Sequence, residues 1–207
     1  MKTAIVFDLG KVLVDFDYTI AARKIAANGT MAITEIGPFV SQSCLLVDFE
    51  KGRLTGQEFV AEACAGIGYR GTHEEFAESF ANIFTPIPAM VELQAAFRKN
   101  GFPTYIFSNT NELAVDHIRR LFPFFANFDG YILSYQHGAM KPEAELYEVV
   151  ERISGQSGTG ILYIDDLAAN VAGGAARGWH TILHKSPEQT KAAIAQLGLL
   201  PDGLNRG

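Results

Sequence analysis

The chain has 207 residues, 48% of them hydrophobic and 19% charged, with a net charge of −6. That composition excludes a disordered chain and fits one sizeable core with room for a small added module. No basic tract occurs, so neither nucleic acid nor a membrane surface is an expected partner; a local lysine or metal could still attract a phosphorylated metabolite.

The opening "MKTAIVFDLGKVLVDFD" is apolar but is broken by Asp8, Lys11 and Asp15, and no small-residue cleavage site follows. No stretch of 18 apolar residues could span a bilayer. A cytoplasmic protein is therefore expected, with Cys44 and Cys64 as reduced thiols.

In chain order, short apolar runs at 3–7, 104–107, 131–133, 161–164 and 181–183 predict strands. They are continuous in apolarity rather than alternating, as for strands covered on both faces. Helical patterns lie near 111–121, 142–153 and 168–177, with a further helix at about 88–99. Alternation of this kind predicts an α/β fold with a doubly wound, mostly parallel, Rossmann-like sheet.

The long gap between the first two strands reads as helical. Thr55-Gly56-Gln57-Glu58 and Thr72-His73-Glu74-Glu75 both fit a capping box, in which hydroxyl and carboxylate satisfy the first free amides of a helix. The expected organisation is a core of residues 1–15 and 85–207 with a helical cap at 16–84, and "TPIPAM" as the hinge back. The final "PDGLNRG" reads as a frayed tail.

Ligands of open α/β sheets bind beyond the carboxyl ends of the strands. Here those ends carry Asp8, Ser108-Asn109-Thr110 and Asp165-Asp166, while Lys141-Pro142 opens the expected helix between the third and fourth strands. Clustered carboxylates repel one another unless a cation sits among them, and an all-oxygen set favours a hard cation such as Mg²⁺. Lys141, Ser108, Asn109 and free helix amides suit a phosphoryl group, and Asp8 is then placed to attack phosphorus.

At these residues the sequence resembles a family. "FDLGKVLVD", "FSNTN", "GAMKPEAELY" and "YIDDLAAN" are similar, in order and spacing, to the four motifs of the haloacid dehalogenase superfamily, subfamily IA. The motif style is most similar to that of bacterial α-D-glucose-1-phosphate phosphatases. The resemblance implies a Mg²⁺-dependent phosphatase in which Asp8 becomes an aspartyl-phosphate and also binds the metal. It implies that Gly10 lends its carbonyl to Mg²⁺, that Ser108 and Lys141 hold the phosphoryl group with Asn109 beside them, and that Asp165 binds the metal directly. Asp166 and Asn170 would hold metal-bound water or orient Lys141.

One departure stands out. In the usual family pattern an aspartate occupies the position of Gly10, where it protonates the leaving group and then activates water. General acid–base help of that kind is worth about 10²–10⁴-fold. Its loss favours leaving groups that need little protonation, such as the anomeric oxygen of glucose 1-phosphate, and Gly10→Asp is expected not to abolish activity and to be able to widen the substrate range. Asp15 could deputise, or be a plain loop carboxylate. Two alternatives remain open: a 2-haloacid dehalogenase, against which the Asp165-Asp166 pair argues, and a catalytically weak relative that binds a phosphorylated ligand.

The remaining features have plainer readings. His73, His117, His137, His180 and His184 lack metal-ligand spacing. "GQSGTG" precedes a strand rather than following one and is a turn. Gly173-Gly174 lets a helix approach the sheet, and Glu50, Lys51 and Arg53 read as a charged, solvated turn, with contact to a sugar hydroxyl as the lesser alternative.

Overall fold

The computed structural model describes residues 2–42 and 44–203, without the side chains of residues 41 and 42. The apolar run that opens the chain forms β1 (Ala4–Phe7), and a tight loop returns into the short β2 (Val14–Phe16). Five helices follow: α1 (Tyr18–Ala26), α2 (Ile33–Gln42), α3 (Cys44–Glu50), α4 (Gly56–Ile67) and α5 (His73–Ala81). The chain then passes through β3 (Phe84–Pro86), α6 (Pro88–Lys99), β4 (Thr104–Ser108), α7 (Glu112–Leu121) and β5 (Gly130–Leu133). It ends in α8 (Ala144–Ser154), β6 (Ile161–Asp165), α9 (Ala168–Ala176), β7 (His180–Leu183) and α10 (Pro187–Gln196).

All five predicted strands form one parallel sheet in the order β5-β4-β1-β6-β7. Side chains alternate across a strand, so β1 supplies both faces. Ile5 and Phe7 join Leu93, Phe97, Ile106 and Ile164 on one side. Ala4 and Val6 join Phe107, Tyr147, Tyr163 and Trp179 on the other. Burial on both faces explains the unbroken apolar runs. The paired glycines of α9 work as their composition predicts: a Cβ on Gly174 would stand 3.1 Å from Tyr163 Cδ1, so the helix lies directly on the sheet.

Helices α1–α5 bury a separate apolar cluster that includes Ile25, Ile36, Phe59, Phe76 and Phe80. Phe49 stacks on Phe59 with ring centroids 4.3 Å apart. Both capping boxes form: Glu58 accepts from Thr55 N at 2.8 Å and Glu75 from Thr72 N at 2.8 Å, each box contributing about 1 kcal/mol. An apolar cavity of about 300 Å³ remains inside this helical layer, lined by Tyr18, Ile25, Ile36, Val40, Leu46 and Phe80.

Several local expectations are corrected. Both ends of the helical segment are tied by an antiparallel ribbon, β2 with β3, so Pro86 lies in a strand and only Pro88 opens a helix. Lys141-Pro142 lies in a turn two residues before α8, whose N-cap is Glu143. The "GQSGTG" turn ends in a short 3-10 helix. In the tail Pro201 is buried, while residues 204–207 lie outside the described residues.

Candidate active site

β1 is the middle strand, and the chain leaves it toward β4 on one side and returns as β6 on the other. This reversal opens a crevice at its carboxyl end. Asp8 sits there, flanked by Ser108 at the end of β4 and Asp165 at the end of β6. The main chain holds Asp8 from both sides: its N–H donates to Ile164 O at 2.9 Å, and its Oδ1 accepts from Leu9 N at 2.7 Å. Beyond Gly10 the loop closes on itself, with Lys11 in the left-handed region at φ 57° and its N–H donating to Val14 O at 2.7 Å.

Lys141 reaches under the crevice. Its ammonium donates to Phe107 O at 2.9 Å and to Asp165 Oδ2 at 2.6 Å, and lies 3.0 Å from Asp8 Oδ1. All three donors of the ammonium therefore have partners, and the side chain is only 1% exposed. Rings of Phe107 and Tyr163 pack beside the charge, at 5.0 and 5.7 Å from their centroids. Asn109 fixes the lysine backbone: its Nδ2 donates to Lys141 O at 3.0 Å and its Oδ1 accepts from Lys141 N at 2.7 Å. Its amide is thereby consumed in holding Lys141, a different use from the phosphate contact expected of it.

Asp165 is fully buried, and both its oxygens are occupied. Oδ1 accepts from Leu167 N at 2.8 Å and Asn170 Nδ2 at 3.1 Å, and Oδ2 accepts from Lys141, Asn170 and the Tyr163 hydroxyl. Asp166 is half-buried, and among the described residues its side chain has no hydrogen-bond or ion-pair partner on another residue. It does not cap α9, whose N-cap is Leu167.

Electrostatics follow from this burial. Loss of water pushes the Asp8 carboxyl up to about 7, with Lys141 pulling down and Asp165 pushing up. Burial also opposes ionisation of Asp165, but Lys141 and the hydrogen bonds from Tyr163 and Leu167 outweigh it and leave that carboxyl below its ordinary value. Burial and then the neighbouring Asp165 raise Asp166. Oxygens of Asp8, Asp165 and Asp166 lie within 4.8 Å of one another, an all-oxygen donor set that fits a hard divalent cation.

The other candidates fall as follows. Ser108 is buried with its hydroxyl only weakly engaged, 3.3 Å from Asn109 O. Asn170 is buried against Asp165. Gly10 lies two residues beyond Asp8, and a Cβ there would stand 2.9 Å from Phe16 Cε1, so that ring must turn aside before any side chain fits. Asp15 is exposed and ion-paired with Lys11 instead of facing the carboxylate cluster. Sequence reasoning missed Tyr163, which lies inside an apolar run and gave no signal. It also missed Ser134, whose Oγ accepts from Thr110 N at 2.9 Å; its position just past β5 was the available clue.

Comparison with known proteins gives this geometry its context. The chain is 27% identical over 187 residues to a D-ribitol-5-phosphate phosphatase of Bacteroides thetaiotaomicron, covering 86% of this chain and 89% of that protein. It is 23% identical over 171 residues to the sesquiterpene phosphatase astK of Aspergillus oryzae, covering 81% and 82%. A haloacid dehalogenase family enzyme of Bacteroides thetaiotaomicron, solved with magnesium and inorganic phosphate, superposes with a TM-score of 0.80 at 21% identity, over 89% of this chain and 95% of that one. The family model for haloacid dehalogenase-like hydrolases matches residues 2–178, and the chain belongs to that family.

Proposed function

We propose that this hydrolase is a Mg²⁺-dependent phosphomonoesterase acting on a small sugar or polyol phosphate, with Asp8 as the nucleophile. One observation carries the reading. Asp8 Oδ1 is pinned by Leu9 N and the Lys141 ammonium, while among the described residues Oδ2 has no partner and is free to attack. The phosphatase names of two relatives and the magnesium and phosphate bound in a solved structure of the same fold support it.

Bound Mg²⁺ would neutralise charge on the phosphoryl oxygens. Asp8, Asp166 and the Gly10 carbonyl are its proposed ligands. Asp165 is better suited to orienting Lys141, with Asn170 bracing it, because its own oxygens are already occupied. The Ser108 hydroxyl and Lys141, its ammonium exchanging the Asp8 contact for a phosphoryl oxygen, hold the transferring group in line with Asp8, whose attack leaves an aspartyl-phosphate that water then hydrolyses. In this reading residues 16–84 form a cap over a core of 1–15 and 85–207. A cytoplasmic location fits the two unpaired cysteines. Glucose 1-phosphate, with its acidic leaving oxygen, remains a candidate beside ribitol 5-phosphate.

The test is phosphate release from a panel of sugar and polyol phosphates. Turnover should require Mg²⁺, stop with chelator, and fall about 10⁴-fold or more in Asp8→Asn. Metal-independent halide release from 2-chloropropionate would establish a dehalogenase instead.

A further inference from the structure

The crevice holds a nucleophile, an anchored ammonium and a place for a metal, but at Gly10 it has nothing to carry a proton. Building on the phosphatase reading, we propose that Glu50, the last residue of α3, exchanges the proton with the leaving oxygen and then with the attacking water.

Contacts on two sides bring the neighbours of Glu50 onto the chain segments that flank the crevice. On one side, the turn that follows it is docked onto the segment bearing Lys141. Lys51 Nζ pairs with Glu143 Oε1, and Glu143 Oε2 accepts from Met140 N at 3.2 Å, so the ion pair closes on the turn that contains Lys141. A Cβ on Gly52 would collide with the Tyr135 carbonyl, so the backbone of the turn lies directly on the chain after β5.

On the other side is the loop that follows Asp8. Leu46, one turn before Glu50 on α3, lines the apolar cavity together with Tyr18, and burial and then the charge of Glu50 push the Tyr18 phenol up to about 12. The Tyr18 ring meets Phe16 edge-on, with centroids 5.2 Å apart, and Phe16 fills the space beside Gly10. From these neighbours we infer that Glu50 lies between the two chain segments that flank the nucleophile.

Its chemistry suits the task. Among the described residues, the Glu50 side chain has no hydrogen bond and no ion pair, although Asp48 and Lys51 nearby are paired with Arg53 and Glu143. Leu46, one turn earlier on the same face of α3, faces the apolar cavity, so the Glu50 side chain shares the helix face that packs into the helical layer. Burial pushes the Glu50 carboxyl up to about 7, where both protonation states are populated near neutral pH.

As Asp8 bonds to phosphorus and the bond from phosphorus to the leaving oxygen breaks, the Glu50 proton passes to that oxygen and the alcohol departs. Glu50, now a carboxylate, takes a proton from the water whose oxygen attacks the aspartyl-phosphate. The bond from Asp8 to phosphorus breaks, phosphate leaves, and Asp8 and Glu50 return to their starting states.

The experiment compares full-length parent, Glu50→Gln and Glu50→Asp on phenyl phosphate and p-nitrophenyl phosphate with Mg²⁺, with thermal melts to confirm folding. The p-nitrophenolate leaves without help, whereas phenolate is the poorer leaving group. Glu50→Gln should lose about 10²-fold or more in kcat on phenyl phosphate and about fivefold or less on p-nitrophenyl phosphate, with partial recovery in Glu50→Asp. Equal losses on both substrates, or no loss, in a folded variant would overturn the role of Glu50 alone. A parent that hydrolyses neither substrate would overturn the phosphatase reading and this inference with it.

Discussion

Two carboxylates, Asp165 on the sheet and Glu50 on the helical layer, are built to opposite specifications. Asp165 is fully buried, and both of its oxygens accept hydrogen bonds. Glu50 is half-buried with no partner of its own among the described residues. A satisfied buried network fixes one geometry and one charge state. An unpartnered acid in dry surroundings is left free to change its charge. The sheet rim therefore supplies positioning, and the helical layer supplies the group that must alternate.

That contrast can be broken most forcefully at Lys141. Lys141→Met strands two buried carboxylates, and removing one partner of a buried pair costs about 3–5 kcal/mol. Urea unfolding in metal-free buffer should show that loss, together with loss of phosphate release.

Glu50 should behave in the reverse way. Its folded carboxyl stands at about 7 against an ordinary 4.5, so folding favours the protonated form. The stability this proton supports is complete below about pH 4.5 and is lost as pH rises through about 7. Glu50→Gln should therefore stabilise the protein by about 1–3 kcal/mol at pH 8 and change little at pH 4.5, as read by chemical denaturation at the two pH values.

The smallest effect should come from the docking contact. Glu143 in the Lys51–Glu143 pair is 42% exposed, and partly exposed pairs are worth about 1 kcal/mol or less. Lys51→Ala should leave the unfolding midpoint nearly unchanged. It should lower kcat more than it raises KM, because the turn carrying the proton donor Glu50 loses its tether to the Lys141 segment.

Sequence patterns carried much of this molecule. The five sheet strands were legible because double-sided burial demands continuous apolar runs, and the two capping boxes because their chemistry is local. Asp8, Lys141 and the Asp165-Asp166 pair were legible as polar residues at strand ends. The ribbon of β2 and β3 was not, because strands of three residues carry no period. The use of the Asn109 side chain was also hidden: a strand-end amide reads the same whether it meets phosphate or the backbone of Lys141, 32 residues away. Glu50 looked like part of a solvated turn because a charged stretch reads the same whether it meets water or, as Lys51 does, a residue 92 positions away.

The Phe16 ring beside Gly10 also bears on how this enzyme could change. A lineage acquiring an aspartate at position 10 would first meet an aromatic ring 2.9 Å from the new Cβ. The two positions are therefore epistatic, and the permissive step comes at residue 16. Once a smaller side chain stands there, a carboxylate at 10 has somewhere to go, and selection to keep Glu50 is relaxed. Proton transfer could then migrate from the helical layer to the loop that carries the nucleophile, through intermediates that keep at least one working acid throughout.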